Sequence, residues 1–158
     1  MIGISACLGG SCCRYDGTAK TIPELQPLIE AGKAVLICPE VLGGLEIPRE
    51  PAEIVGGDGW DVWTGKASVL TISGEDVTAA FKTGAKRAYQ KLKEQQITHL
   101  LTKENSPSCG KQLIYDGRFS GMKKAGVGVA VAYFEQHGIN VMPESKWKQV
   151  LEEVELHE

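Results

Sequence analysis

The chain has 158 residues, with 17 Lys and Arg against 20 Asp and Glu and a formal net charge of −3. That length suits one domain whose core needs no metal or disulfide to fold, and the acidic balance excludes a large nucleic-acid footprint. No apolar run approaches the ~20 residues of a membrane span, and five cysteines cannot all pair within the chain, so the expectation is a cytoplasmic protein with reduced thiols.

The opening MIGISA lacks a basic segment and a long apolar stretch, so it reads as a buried strand and not as a signal peptide. Gly9-Gly10 then allow a sharp turn. Residues 24–31 place Leu25, Leu28 and Ile29 on one helical face, with Pro27 fitting only the first turn and Gly32 as the stop. AVLI (34–37) is a second strand. Residues 40–75 interrupt the alternation; Thr64-Gly65 between two alternating runs suggests a small hairpin, with Trp60 and Trp63 packing it onto the rest.

Residues 76–96 form the clearest helix, with Val77, Ala80, Phe81, Ala88 and Leu92 in one stripe and Asp76 as the N-cap. Its lysines are read as a solvated face. THLLT (98–102) and INVM (139–142) are further short apolar strands, and His99 within the first reads as a core histidine. Helices are expected over 125–137, with Val127, Val131 and Phe134 inward and Gly138 as the stop. Another is expected over 145–155, on Trp147, Val150, Leu151 and Val154. The order predicts an α/β, three-layer domain spanning 1–158, with a short, mostly parallel sheet and a small hairpin insertion.

Cys7, Cys38 and Cys109 follow three of these strands. Strand ends of an open parallel sheet converge on one crevice, where ligands bind. Three thiolates from distant loops read as a metal or cluster site with one coordination position open. Cys13 is the alternative third ligand or a fourth, and Cys12 reads as incidental. No C-x-x-C pair is present, and His99, His137 and His157 lie away from the cysteine loops, so an iron–sulfur cluster fits better than zinc. Glu40, two residues after Cys38, lands beside the same crevice, where nearby thiolates and partial burial suit it to proton transfer. Ser106 and Ser108, in the tight loop before Cys109, offer hydroxyls to a polar ligand; turn chemistry is the plainer account of both.

The segments SACLGGSCCRYDG, ICPEVLGGLEIPREPAEI, GEDVTAAFKTGA, SPSCG, IYDGRFSG and GVGVAVAYFEQHGI resemble, in order and through nearly the whole chain, the motifs of the small bacterial family that includes 2-thiouracil desulfidase. The resemblance implies a Rossmann-like domain holding a [4Fe-4S] cluster on three cysteines, readily lost in air. It implies non-redox replacement of a thiocarbonyl sulfur by water on a thiolated nucleobase or nucleotide. Carried over to this chain, Cys7, Cys38 and Cys109 are the ligands, Glu40 the acid–base group and Ser106 the residue that positions substrate or water. Cys13 also fits the pattern. The family loop usually carries a leucine where this chain has Gly9, and Cys12 is an addition.

Three other readings compete. One is a non-enzymatic iron–sulfur carrier or sensor, which would share an iron–sulfur assembly partner with the enzyme. Another is a zinc-binding domain. The third is a cysteine phosphatase, but Cys7 to Arg14 encloses LGGSCC, one residue more than that phosphate loop holds. Lys103, Lys111, Arg118, Lys123 and Lys124 could meet a nucleotide phosphate, or form an ordinary solvated loop.

Overall fold

The computed structural model describes residues 1–157. In chain order the elements are β1 (Ile2–Ser5), α1 (Gln26–Glu30), β2 (Ala34–Ile37), α2 (Pro39–Leu42), β3 (Ala52–Val55), α3 (Gly59–Trp63) and β4 (Ser68–Thr71). They continue with α4 (Thr78–Glu94), β5 (His99–Thr102), β6 (Leu113–Tyr115), β7 (Lys123–Ala125), α5 (Val129–Gln136), β8 (Asn140–Pro143) and α6 (Trp147–His157). Short 3-10 turns lie at Ala6–Gly9, Pro23–Leu25 and Glu144–Lys146.

The four short apolar runs pair in parallel in the order β2-β1-β5-β8. Buried on both faces, they need apolar residues at successive positions, which is why they read as continuous hydrophobic runs. Ile37, Leu100 and Val141 pack one face against Ala85, Ala88 and Leu92 of α4 and Val131 and Phe134 of α5. Ile2, Ile4 and Leu101 pack the other against Leu25 and Val150, with Leu28, Ile29 and Trp147 partly buried there. The result is the expected three layers. β1 lies between β2 and β5, so the chain leaves it in opposite directions, and the crevice at the strands' carboxyl ends lies at that switch.

The antiparallel insertion exists, but its form differs from the expectation. β3 pairs with β4, and the link between them contains α3 in place of a Thr64-Gly65 hairpin turn. Asp58 and Asp61 explain the difference: each side chain accepts from the other's backbone N–H, a reciprocal cap that starts a helix at WDVW. Trp63 docks this helix by donating its indole N–H to the Val129 carbonyl at 2.8 Å. A second antiparallel pair, β6–β7, occupies part of the sequence expected to begin a helix at 125. Ala125 is held in that ladder opposite Leu113, so α5 starts only after Gly128.

Other differences are local. The 24–31 segment splits into a 3-10 turn and α1. Asp76 lies one residue before the α4 N-cap position, yet its carboxylate accepts from the Thr78 N–H at 2.9 Å. His99 is exposed at the start of β5, where its Nδ1 bonds the Thr98 hydroxyl, because the strand's first residue projects beyond the core. Val154 falls within α6, and its expected inward side chain is among those from 154 onward that are not described. Among the described residues no helix is long and apolar enough to cross a membrane.

Candidate active site

A cavity of about 360 Å³ opens at the carboxyl ends of β1, β2 and β5. Cys7, Cys13, Cys38 and Cys109 all line it, together with Glu40, Ser106 and Ser108. Each is placed by a short, stiff piece of chain. Cys7 sits in the 3-10 turn that ends β1. Cys38 occupies the N-cap position of α2, between the end of β2 at Ile37 and Pro39, which begins the helix with Glu40 in its first turn. Cys109 closes a loop whose carbonyls at Pro107 and Ser108 accept from the first N–H groups of α5, from Val129, Ala130 and Val131.

Cys7, Cys13 and Cys109 are buried, Cys38 is partly so, and Cys12 is exposed and outside the cavity. The sulfurs sense one another. Hydrogen bonds from the Cys38 and Cys7 thiols hold Cys13 down at about 3. The reciprocal contact with Cys13, and then burial, push Cys7 and Cys38 up. Burial raises Cys109 to about 11, against the opposing bonds of Ser108 and Ser5.

Glu40 lies at the centre of a hydrogen-bond network. Its Oε2 accepts from the Ser108 hydroxyl at 2.8 Å and from that of Ser106 at 3.5 Å. Its Oε1 is held by the Arg49 guanidinium, Nε and Nη2 each at 3.2 Å. Arg49 also donates to the Cys13 carbonyl at 2.9 Å and to that of Glu46 at 2.9 Å. Ser106 faces inward on its own loop: its Oγ accepts from the backbone N–H groups of Ser108, at 3.1 Å, and Cys109, at 3.0 Å.

The structure brings Cys7, Cys13, Cys38, Cys109, Glu40 and Ser106 together, and adds Arg49 and a direct Ser108–Glu40 bond that the sequence did not suggest. Ser108 had a signal, its position in SPSC; Arg49 had none, since a pairing across a loop leaves no periodicity. Trp60 and Trp63 do not line the cavity. Of the basic residues between 103 and 124, only Lys103 does, and Glu144 takes its ammonium at 2.7 Å. Lys111 pairs with Glu135 at 2.9 Å and Lys124 donates to the Gly57 carbonyl. Arg14 donates to Thr18 and pairs with Asp16, so its guanidinium serves its own turn and not an anion over Cys7.

Among the described residues, no three His, Cys, Asp or Glu side chains form a coordination group for a single metal ion. The donor set is instead four cysteine sulfurs around one cavity, with no histidine lining it. Soft, thiolate-only donors spread around a space larger than one ion fit an iron–sulfur cluster.

The comparisons with known proteins agree with this chemistry. Residues 2–146 match the model of a family described as 2-thiouracil desulfurase. An uncharacterised protein of Bacillus subtilis (strain 168), YbbK, is 46% identical over 151 residues, 96% of this chain and 100% of that one. A solved structure of the [4Fe-4S]-dependent thiouracil desulfidase TudS superposes with a TM-score of 0.86 at 43% identity, covering 98% of this chain and 97% of that one.

Proposed function

Since the chain belongs to the 2-thiouracil desulfurase family, we propose that it removes the sulfur of a thiouracil-like base by hydrolysis at a [4Fe-4S] cluster. The observation that carries this reading is the convergence of Cys7, Cys13, Cys38 and Cys109 with the Glu40–Ser108 hydrogen bond in one cavity. Cys7, Cys38 and Cys109 would hold the cluster, with Cys13 as the alternate ligand. When bound, the cluster would supply a thiophilic Lewis acid that polarises the thiocarbonyl.

The chain's own residues do the rest. Glu40 accepts a proton from water at a carboxylate oxygen, so that the water oxygen bonds to the thiocarbonyl carbon. As that bond forms, the π pair of the C=S bond moves onto sulfur; the hydroxyl's remaining proton and the one held by Glu40 then pass to sulfur, the C=O bond forms as the C–S bond breaks, and sulfur leaves as hydrogen sulfide. Oxygen replaces sulfur with no net change of electrons. Ser108, Ser106 and Arg49 fix the Glu40 carboxylate, and Ser106 also positions the substrate or water. The substrate is a free base or its nucleotide. The 158 residues act as one unit, in the cytoplasm, where cluster assembly proteins and reduced thiols are at hand.

Anaerobic reconstitution with iron and sulfide tests this directly. About four irons and four sulfides per chain are expected, with sulfide released from 2-thiouracil, and cluster loss in Cys7→Ala, Cys38→Ala and Cys109→Ala. Absence of cluster uptake by the wild type would overturn the reading. Cluster uptake without sulfide release would favour a carrier or sensor.

A further inference from the structure

The cavity wall holds two groups that the proposed chemistry does not use. Glu53, on β3, is 8% exposed and lines the cavity. A carboxylate that deep is rare without a cation or several donors. Its Oε1 accepts from the backbone N–H of Gly117 at 2.9 Å and of Phe119 at 3.2 Å, both in the loop joining β6 to β7. Its Oε2 has no protein partner among the described residues, and it is not sealed from solvent. The carboxylate therefore has one oxygen occupied by the loop and one without a protein partner, on a residue that lines the reaction cavity.

Phe119 is the second group. It has φ +55°, a left-handed conformation that a bulky side chain adopts only at a cost. The Glu53 bond to its N–H helps to hold that backbone. Gly117 presses the same loop onto β3, where a Cβ would run into the Ile54 carbonyl. What the strain achieves is placement: Phe119, Tyr115 and Tyr15 all line the cavity. Strained backbone held by surrounding structure is common at ligand clamps.

We infer that Glu53 and Phe119 form the subsite that holds the substrate ring, Glu53 Oε2 accepting a ring N–H beside the thiocarbonyl and the Phe119 side chain stacking on the ring face. This rests on the proposed desulfuration. A thiolated pyrimidine suits both groups: it is planar, and the carbon bearing sulfur is flanked by N–H donors. The subsite selects rings that keep such an N–H and disfavours rings alkylated at every flanking nitrogen. Uracil, the product, carries the same N–H groups and binds there too.

The test compares wild type, Glu53→Gln and Phe119→Leu, all reconstituted and matched for iron content. Glutamine keeps an oxygen for the two loop N–H groups and turns an N–H2 donor toward the ring, so the loop stays while the polarity reverses. Uracil binding by calorimetry should weaken about tenfold in Glu53→Gln, as expected for one lost charge-assisted hydrogen bond. The preference for 2-thiouracil over 1,3-dimethyl-2-thiouracil, as a ratio of kcat/KM, should fall by a similar factor. A purely structural Glu53 would lower both substrates together and leave the ratio unchanged. Phe119→Leu should weaken uracil severalfold and affect both substrates alike. An unchanged ratio and unchanged uracil affinity in Glu53→Gln would overturn the subsite while sulfide release stood. If wild type released no sulfide, the desulfuration reading would fail, and the uracil titration would still score the subsite.

Discussion

At the scale of single residues, the site turns on how one carboxylate is held. Glu40 receives two charge-assisted contacts from Arg49 on one oxygen and the Ser108 hydroxyl on the other, so neither its position nor its rotation is free. Arg49 and Glu40 side chains are only 10% and 15% exposed, which makes the pair stiffer than a surface ion pair. Arg49 also reaches the Cys13 carbonyl, and so couples the acid–base group to a cysteine loop. Replacing Arg49 with Gln should lower kcat about tenfold to a hundredfold, the range expected when a reacting group is misplaced by about 1 Å, with KM little changed. Lys should rescue only part, because an ammonium cannot match a two-point fork. Sulfide-release kinetics on samples matched for iron would check this, and a wild-type kcat in Arg49→Gln would show the clamp to be idle. Cys7, Cys38, Cys109 and Glu40 were legible in the sequence because each follows an apolar run that could only be a strand. Arg49 was not, because the fold alone brings it to a partner nine residues away.

At the scale of elements, the site depends on how closely α2 approaches α4. A Cβ on Gly84 would overlap the Pro39 carbonyl, and one on Gly43 would overlap the Ala80 carbonyl. The two helices therefore touch backbone to backbone, and α2 carries Glu40 while Cys38 stands at its N-cap position. Gly84→Ala cannot be accommodated by a side-chain rotation. Overpacking of this kind costs about 2 kcal/mol, or a fall in Tm of about 5 °C for a protein this size. Because α2 must shift, iron retained after desalting should fall as well. An exposed α4 change such as Lys93→Ala should alter neither, and a thermal melt with iron analysis on both variants separates them. The α4 stripe was plain in the sequence, but this contact was not: a glycine inside a helix reads as a weakness, and only the neighbouring helix shows why no side chain fits. The same limit applies at α3, where the Asp58–Asp61 cap overrode an alternating pattern that suggested a hairpin, and at β7, whose pairing delayed the start of α5.

For the whole molecule, the question is whether the cluster is part of the fold or a guest in it. Two apolar layers enclose the sheet, and a third apolar group around Ile54, Val62, Phe81 and Val129 supports the insertion. Among these, only the layer containing Ile2 and Leu25 includes site cysteines, Cys7, Cys13 and Cys38, and they lie at its edge on the cavity. A chain of this size buries roughly 70% of its unfolded surface, enough to fold on apolar contacts alone, unlike a zinc finger, whose metal supplies the folding energy. Iron removal should therefore leave the far-UV circular dichroism unchanged. It should still lower Tm, because a group bound only by the native state stabilises that state. Paired dichroism and calorimetry on reconstituted and chelated protein would decide it. Collapse of the helical signal on chelation would make the cluster a structural element. Equal Tm values would mean that the cysteines bind it too weakly to hold it through turnover.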